Sequence, residues 1–260
     1  MGSKVFDLEQ KIADQLSLLK KRFGLSAVKA EFESEGSTFR DLIRLRRLTA
    51  QQNIPLFLKI GGVEGLRDLK DALDLGVDGL IAPMVESPFG VVKFISAVDA
   101  VFGQKNIFKS INIETRGAID QIDKILEVAR GEIDNITIGR TDLSRSYFDS
   151  TIHPDSSFIF DLIENLSLKI HSSGLTLTIG GSITADSIQL FKQCRNRLGN
   201  RIASIETRKI ILPCDEILGK EAVLKESLYF EELYLRHKLA NEAWFSKSDQ
   251  ERLTKIKTRF

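Results

Sequence analysis

Apolar positions in this chain alternate between short β-branched runs and longer stretches with helical spacing. Leu8, Ile12, Leu16 and Leu19 recur at helical intervals and predict an amphipathic helix ending near Phe23. The run 27–32 follows as a strand, 41–52 as a helix, and 55–60 as a strand closed by Gly61 and Gly62. The same rhythm gives helix 63–75, strand 77–82 ended by Pro83, helix 88–102, strand 108–114, helix 118–130 and strand 135–139. Helix 156–173, strand 175–179 before Gly180 and Gly181, and helix 185–198 come next. The apolar stretch 202–212 reads as one strand or as two.

Seven clear strands alternating with helices, and one doubtful strand within 202–212, predict an α/β fold with a parallel sheet closed into a single (β/α)8 TIM barrel. The expected domain is 1–260, with an N-terminal helix and an extended helical C-terminus over 219–260. That tail carries Leu224, Leu228, Leu233, Leu235, Leu239 and Trp244. It either closes its own barrel or packs on a partner subunit, and a homo-oligomer is expected. No GxGxxG follows the first strand, which argues against a dinucleotide site.

Composition narrows the classes. The chain has 260 residues, 42% hydrophobic and 28% charged, enough for one large core. With 37 basic and 36 acidic residues the net charge is +1, so no global field favours nucleic acid or an anionic membrane, and a small-molecule partner is expected. No run approaches the roughly 18 apolar residues of a membrane span. The N-terminus is a charged amphipathic segment unlike a secretory signal, and Cys194 and Cys214 lack the CxxC pattern, so a cytoplasmic protein is expected.

Two strands carry candidate chemistry at their ends. Ile111-Asn112-Ile113 stops on Glu114, and Ile136-Thr137-Ile138-Gly139 leads to Asp142. Strand ends of a parallel barrel gather on one face, so these carboxylates are candidates to share a divalent metal. Gly180, Gly181 and Ser182 open a helix after a strand, a place suited either to a phosphate or carboxylate or to a tight βα turn.

The segments Gly76-Val77-Asp78-Gly79-Leu80-Ile81-Ala82-Pro83-Met84-Val85-Glu86-Ser87, Asn112-Ile113-Glu114-Thr115 and Gly139-Arg140-Thr141-Asp142-Leu143-Ser144 resemble the HpcH/HpaI aldolase and citrate lyase beta-chain family. The resemblance runs over roughly 27–146. It implies a phosphoenolpyruvate/pyruvate-type barrel with Mg²⁺ or Mn²⁺ held by Glu114 and Asp142. It also implies that backbone amides around Gly139, Arg140 and Thr141 cradle a substrate carboxylate. Such an ion acts as a Lewis acid on the enolate of a 2-oxo acid.

The departures from the family are informative. Lys59 stands where many members end the second strand in Arg, which keeps a positive charge for the keto oxygen but loses the planar fork. Schiff-base chemistry and a plain ion pair with Glu33 or Glu35 are the other readings of Lys59. The family's His after the first strand is missing, and Glu33 or Glu35 takes the base role in its place. Arg140 replaces a small or proline residue and either adds an anion contact or faces solvent. His153 lies in a loop that could reach the same face.

The expected function is a divalent-metal-dependent carbon–carbon lyase or aldolase acting on a 2-oxo acid, phosphorylated or multiply acidic if the turns at Gly61-Gly62 and Gly180-Gly181 both bind anions. The alternatives are a lyase or synthase on an acyl thioester or sugar acid, and a catalytically silent barrel serving as a scaffold.

Overall fold

A computed structural model describes residues 2–32, 34–103, 105–220 and 222–257, and in it eight strands form a closed barrel in sequence order. Helix α1 (Gly2–Phe23) precedes β1 (Ala27–Glu31), and α2 (Phe39–Gln51) leads to β2 (Leu56–Lys59). Then come α3 (Leu66–Leu75), β3 (Gly79–Ala82), α4 (Pro88–Phe102) and β4 (Phe108–Ile113). Two short helices, α5 (Arg116–Asp120) and α6 (Ile122–Ala129), lead to β5 (Asn135–Gly139). Next are α7 (Arg140–Arg145), α8 (Ser157–Ser172), β6 (Thr176–Gly180), α9 (Ala185–Gln193) and α10 (Arg195–Leu198). The chain closes with β7 (Ser204–Glu206), β8 (Ile210–Pro213), α11 (Cys214–Gly219) and α12 (Ala222–Lys257).

Local chemistry explains the boundaries. Helix α4 begins where expected because the Ser87 hydroxyl accepts the Gly90 N–H at 3.1 Å and Pro88 occupies the first turn. The helix expected over 118–130 starts earlier, since Thr115 caps Ala118 at 3.2 Å, and it divides at Gln121. Helix 185–198 likewise divides, at Cys194.

Strands β1 to β7 run parallel, and the stretch 202–212 resolves into two strands. Strand β8 is antiparallel to both β7 and β1. Only Thr207, Arg208 and Lys209 link β7 to β8, too short a connection for the crossover a parallel pair needs. The barrel therefore closes through a hairpin, and its eighth strand lacks a preceding helix.

The lower interior is unusually polar for a fold whose layers are mostly branched apolar side chains. Asn135 Nδ2 donates to the Ser110 and Thr137 hydroxyls at 2.9 and 3.1 Å, and Asn135 Oδ1 accepts from Thr178 at 3.0 Å. These small side chains leave a cavity of about 240 Å³ beneath the site.

Outside the barrel, α1 and α12 pack on each other. Leu16, Leu19, Phe230 and Leu233 are buried, and Gln15 Nε2 donates to the Glu226 carbonyl at 2.9 Å and to its carboxylate at 2.8 Å. Part of the C-terminal tail thus covers its own chain, while Leu235, Leu239 and Trp244 stay exposed. Among the described residues no helix is long and apolar enough to cross a membrane.

His237 belongs to this helix pair, 3.3 Å from Glu9 Oε1 and 3.0 Å from Asn241 Nδ2. Burial pushes its imidazole below the usual histidine value, against the opposing pull of Glu9. Between the lowered folded value and the ordinary unfolded one near 6.5, the unfolded chain binds more protons, so acid weakens the fold. The unfolding midpoint is expected to drop between about pH 7.5 and about pH 5.5, and to drop less in His237→Gln. Thermal melts of both proteins across that range test this, and parallel slopes would refute it.

Candidate active site

The C-terminal strand ends enclose a cavity of about 540 Å³. Seven of the sequence candidates line it: Lys59, Glu114, Gly139, Thr141, Asp142, Gly181 and Ser182. Each follows from topology, because parallel strands deliver their ends to one rim.

Glu114 follows β4 and is 2% exposed. Its Oε1 accepts the Met84 N–H at 3.0 Å, and its Oε2 accepts Asn112 Nδ2 at 3.1 Å. Met84 presents that amide from a left-handed backbone, φ 51°, which is strained for a residue with a side chain. Asn112 also faces the cavity, and its buried Oδ1 has no hydrogen-bond partner. Asp142 sits in the first turn of α7, and its carboxylate makes no ion pair or hydrogen bond among the described residues.

These oxygens suit a hard divalent cation, and an orphaned amide oxygen beside a buried carboxylate is a specific observation in favour of one. Among the described residues no group of three His, Cys, Asp or Glu converges as a full metal cage. Mg²⁺ is commonly held by one or two carboxylates with water filling the rest, so a sparse set still fits it.

Lys59 ends β2 and lies 4.0 Å from Glu31 Oε2. Its ion pair is therefore with Glu31 at the end of β1. The alternative partner Glu35 instead meets Lys209 and Arg208. Glu33, the expected base, lies outside the described residues.

Arg140 meets neither expectation. Its side chain is fully buried and points away from the cavity, so it neither contacts an anion there nor faces solvent. The guanidinium donates to Asp155 Oδ1 at 2.6 Å, to the Gly181 carbonyl at 2.8 Å, and to the carbonyls of Pro154, Gly180 and Ser182 at 3.1, 3.3 and 3.3 Å. It braces the loop after β6 against α7. Gly180 is set back from the cavity, with Glu206 lying across the place a side chain would fill.

Gly181 has a different role. At φ 85° it favours glycine, and a Cβ there would lie 2.6 Å from the Thr141 amide nitrogen and 2.8 Å from that of Arg140. The bare backbone keeps open the space against the first amides of α7, which have no intrahelical acceptor. Ser182 adds a hydroxyl 2.9 Å from that of Thr141.

Several cavity residues escaped the sequence reading. Lys29, on β1, is buried with its ammonium 2.6 Å from Glu206 Oε1 and 3.8 Å from Glu31 Oε1. Despite burial, Glu206 and Glu31 hold that ammonium above the usual lysine value. Arg208 and Arg145 also line the wall. The one available signal was the tetrapeptide Ile-Glu-Thr-Arg, which occurs at 113–116 and again at 205–208, ending a strand both times. His153 is exposed and outside the cavity lining, and His237 belongs to the α1–α12 contact.

Comparison with known proteins agrees with this architecture. The family model "HpcH/HpaI aldolase/citrate lyase" matches residues 47–158, less than half of the chain, and bears out the resemblance over that stretch. An HpcH/HpaI aldolase from Desulfitobacterium hafniense DCB-2 superposes with a TM-score of 0.60 at 16% identity, over 90% of this chain and 88% of that one. An HpcH/HpaI aldolase/citrate lyase family protein from Burkholderia cenocepacia J2315 gives 0.57 at 17% identity, over 75% and 82%. A variant of the citrate synthase SbnG gives 0.56 at 18%, over 78% and 81%. At such identities these structures establish the shared fold alone. No curated protein matches the sequence. The family match supports an enzyme of the carbon–carbon lyase type.

Proposed function

We propose, taking the match to the HpcH/HpaI aldolase/citrate lyase family as premise, that this protein is a divalent-metal-dependent carbon–carbon lyase or aldolase acting on a 2-oxo acid. The observation that carries the reading is the presence of Glu114, Asp142 and Asn112, with its unpartnered Oδ1, in the lining of one cavity together with Lys59. Glu114, Asp142 and Asn112 would hold Mg²⁺ or Mn²⁺, which when bound supplies Lewis-acid polarisation of the keto oxygen.

The protein's own groups do the remaining work. Lys59 places a positive charge near the developing oxyanion, and the Glu31 carboxylate limits where its flexible chain can go. The amides of Arg140 and Thr141, left accessible by Gly181, take the substrate carboxylate, with the Thr141 and Ser182 hydroxyls beside them. Arg140 contributes by fixing the loop that carries Gly181 and Ser182. A Schiff base at Lys59 is redundant in this reading, because the metal would already supply polarisation of the keto oxygen. The proposal retains a small-molecule partner, a cytoplasmic setting and a homo-oligomer, for which the exposed Leu239, Trp244 and Phe245 of α12 offer apolar surface.

The test follows exchange of pyruvate methyl protons with deuterated solvent by NMR, with and without Mn²⁺. Metal-dependent exchange is expected, with a fall of about 10²–10³-fold in Glu114→Ala, equivalent to a few kcal/mol of lost stabilisation. Absence of exchange with both pyruvate and oxaloacetate at every metal concentration would sink the 2-oxo acid reading.

A further inference from the structure

The register of β4 to β7 places two glutamates symmetrically about two glycines. Ile113 pairs with Ile138, Gly139 with Gly180, and Ile179 with Ile205, so the next residues form a row of Glu114, Gly139, Gly180 and Glu206 across four neighbouring strands. Each carboxylate leans over the adjacent glycine. A Cβ on Gly139 would lie 2.5 Å from Glu114 Oε2, and one on Gly180 would lie 2.8 Å from Glu206 Oε1. With neighbouring strands about 4.8 Å apart, the two carboxylates face each other at roughly 5–10 Å, room for one small organic acid. Both line the same cavity.

Their surroundings differ. Glu114 is held by neutral N–H donors and lies beside an unpartnered amide oxygen, whereas Glu206 is held by the Lys29 ammonium at 2.6 Å. Lys29 also has Glu31 at 3.8 Å, so it keeps a carboxylate partner when Glu206 takes up a proton. A buried base can accept a proton reversibly only if its counter-ion is not then stranded. Glu206 additionally lines the hydroxyl-rich cavity beneath the site.

We propose that Glu206 is the catalytic acid–base residue, positioned by Lys29 and transferring a proton to and from the substrate held against the Glu114 wall. This rests on the 2-oxo acid reading. In the exchange reaction the Glu206 carboxylate takes a proton from the methyl carbon next to the keto group. The C–H electron pair becomes the carbon–carbon double bond of the enolate, and the carbonyl π electrons move onto the oxygen. The carboxylic acid, once exchanged with solvent, returns a deuteron to the same carbon. In carbon–carbon cleavage the carboxylate takes the proton of the hydroxyl on the departing carbon, whose O–H electrons form the new carbonyl as the bond breaks toward the enolate.

Glu206→Gln preserves shape and removes proton transfer. The expected result is methyl exchange slowed about 10²–10⁴-fold, with Mn²⁺ affinity measured by electron spin resonance and pyruvate affinity retained, and a lower melting temperature because Lys29 loses its nearer counter-ion. A variant that exchanges at the wild-type rate overturns this inference and leaves the 2-oxo acid reading intact. A wild-type protein that does not exchange overturns both. If the Gln variant fails to fold, Glu206→Asp decides. Withdrawing the carboxylate by one methylene is expected to slow exchange about 100-fold with binding intact, and an unchanged rate overturns the assignment.

Discussion

Replacing Arg140 with Leu is expected to destabilise the protein by about 3 kcal/mol and to weaken binding of a carboxylate ligand as well. The guanidinium is fully buried and serves six oxygens, four of them backbone carbonyls from two separate loops and the others from Asp155 and Ser187. Leucine fills much of the volume and satisfies none of them. An unmet buried acceptor costs about 1–3 kcal/mol, but Asp155 is partly exposed and can recruit water, which keeps the total near the lower end of what removing a buried ionic partner costs. Arg140→Lys should recover about half, since a single ammonium reaches few of the oxygens that a planar fork spans. Urea unfolding of the three proteins tests the ranking. A Leu variant as stable as the parent would show that the brace is redundant.

Gly181→Ala should be almost as damaging, for the opposite reason. A methyl group at φ 85° costs about 1 kcal/mol in backbone conformation. It would also meet main-chain nitrogens at 2.6 and 2.8 Å, atoms that cannot rotate aside as a side chain can. Overpacking adds about 1–3 kcal/mol, giving a combined loss of about 2–4 kcal/mol. Relief by backbone movement would carry the Arg140 and Thr141 amides away from the ligand position, so pyruvate affinity should fall more than that of Mn²⁺. Titration of each ligand against the variant separates these outcomes, and equal losses would argue against an anion cradle at this turn.

Both residues show where the sequence was legible and where it was not. The barrel could be read because strand and helix periods alternate cleanly, and Glu114 because it terminates a β-branched run. Arg140 was misread. Its position after a strand suggests a ligand contact, and nothing local reveals that Asp155 and the Gly181 carbonyl will surround it. Lys29 was missed for a related reason. Within Ala27-Val28-Lys29-Ala30-Glu31 an alternating charge looks solvent-facing, yet all five residues are buried, with Lys29 and Glu31 directed into the cavity. Periodicity tells inside from outside only when the inside is apolar, and this barrel interior is not. The β7–β8 hairpin was hidden because Thr207, Arg208 and Lys209 carry no glycine, asparagine or proline to announce a turn.

The contact between the first and last helices has a consequence for synthesis. Gln15 and Glu226 are 211 residues apart, so at ribosomal speeds of about 5–20 residues per second the apolar stripe of the N-terminal helix waits about 10–40 s for its cover. During that interval the face of α1 that meets α12 lacks its partner, and the nascent chain should be a client of holding chaperones until α12 emerges.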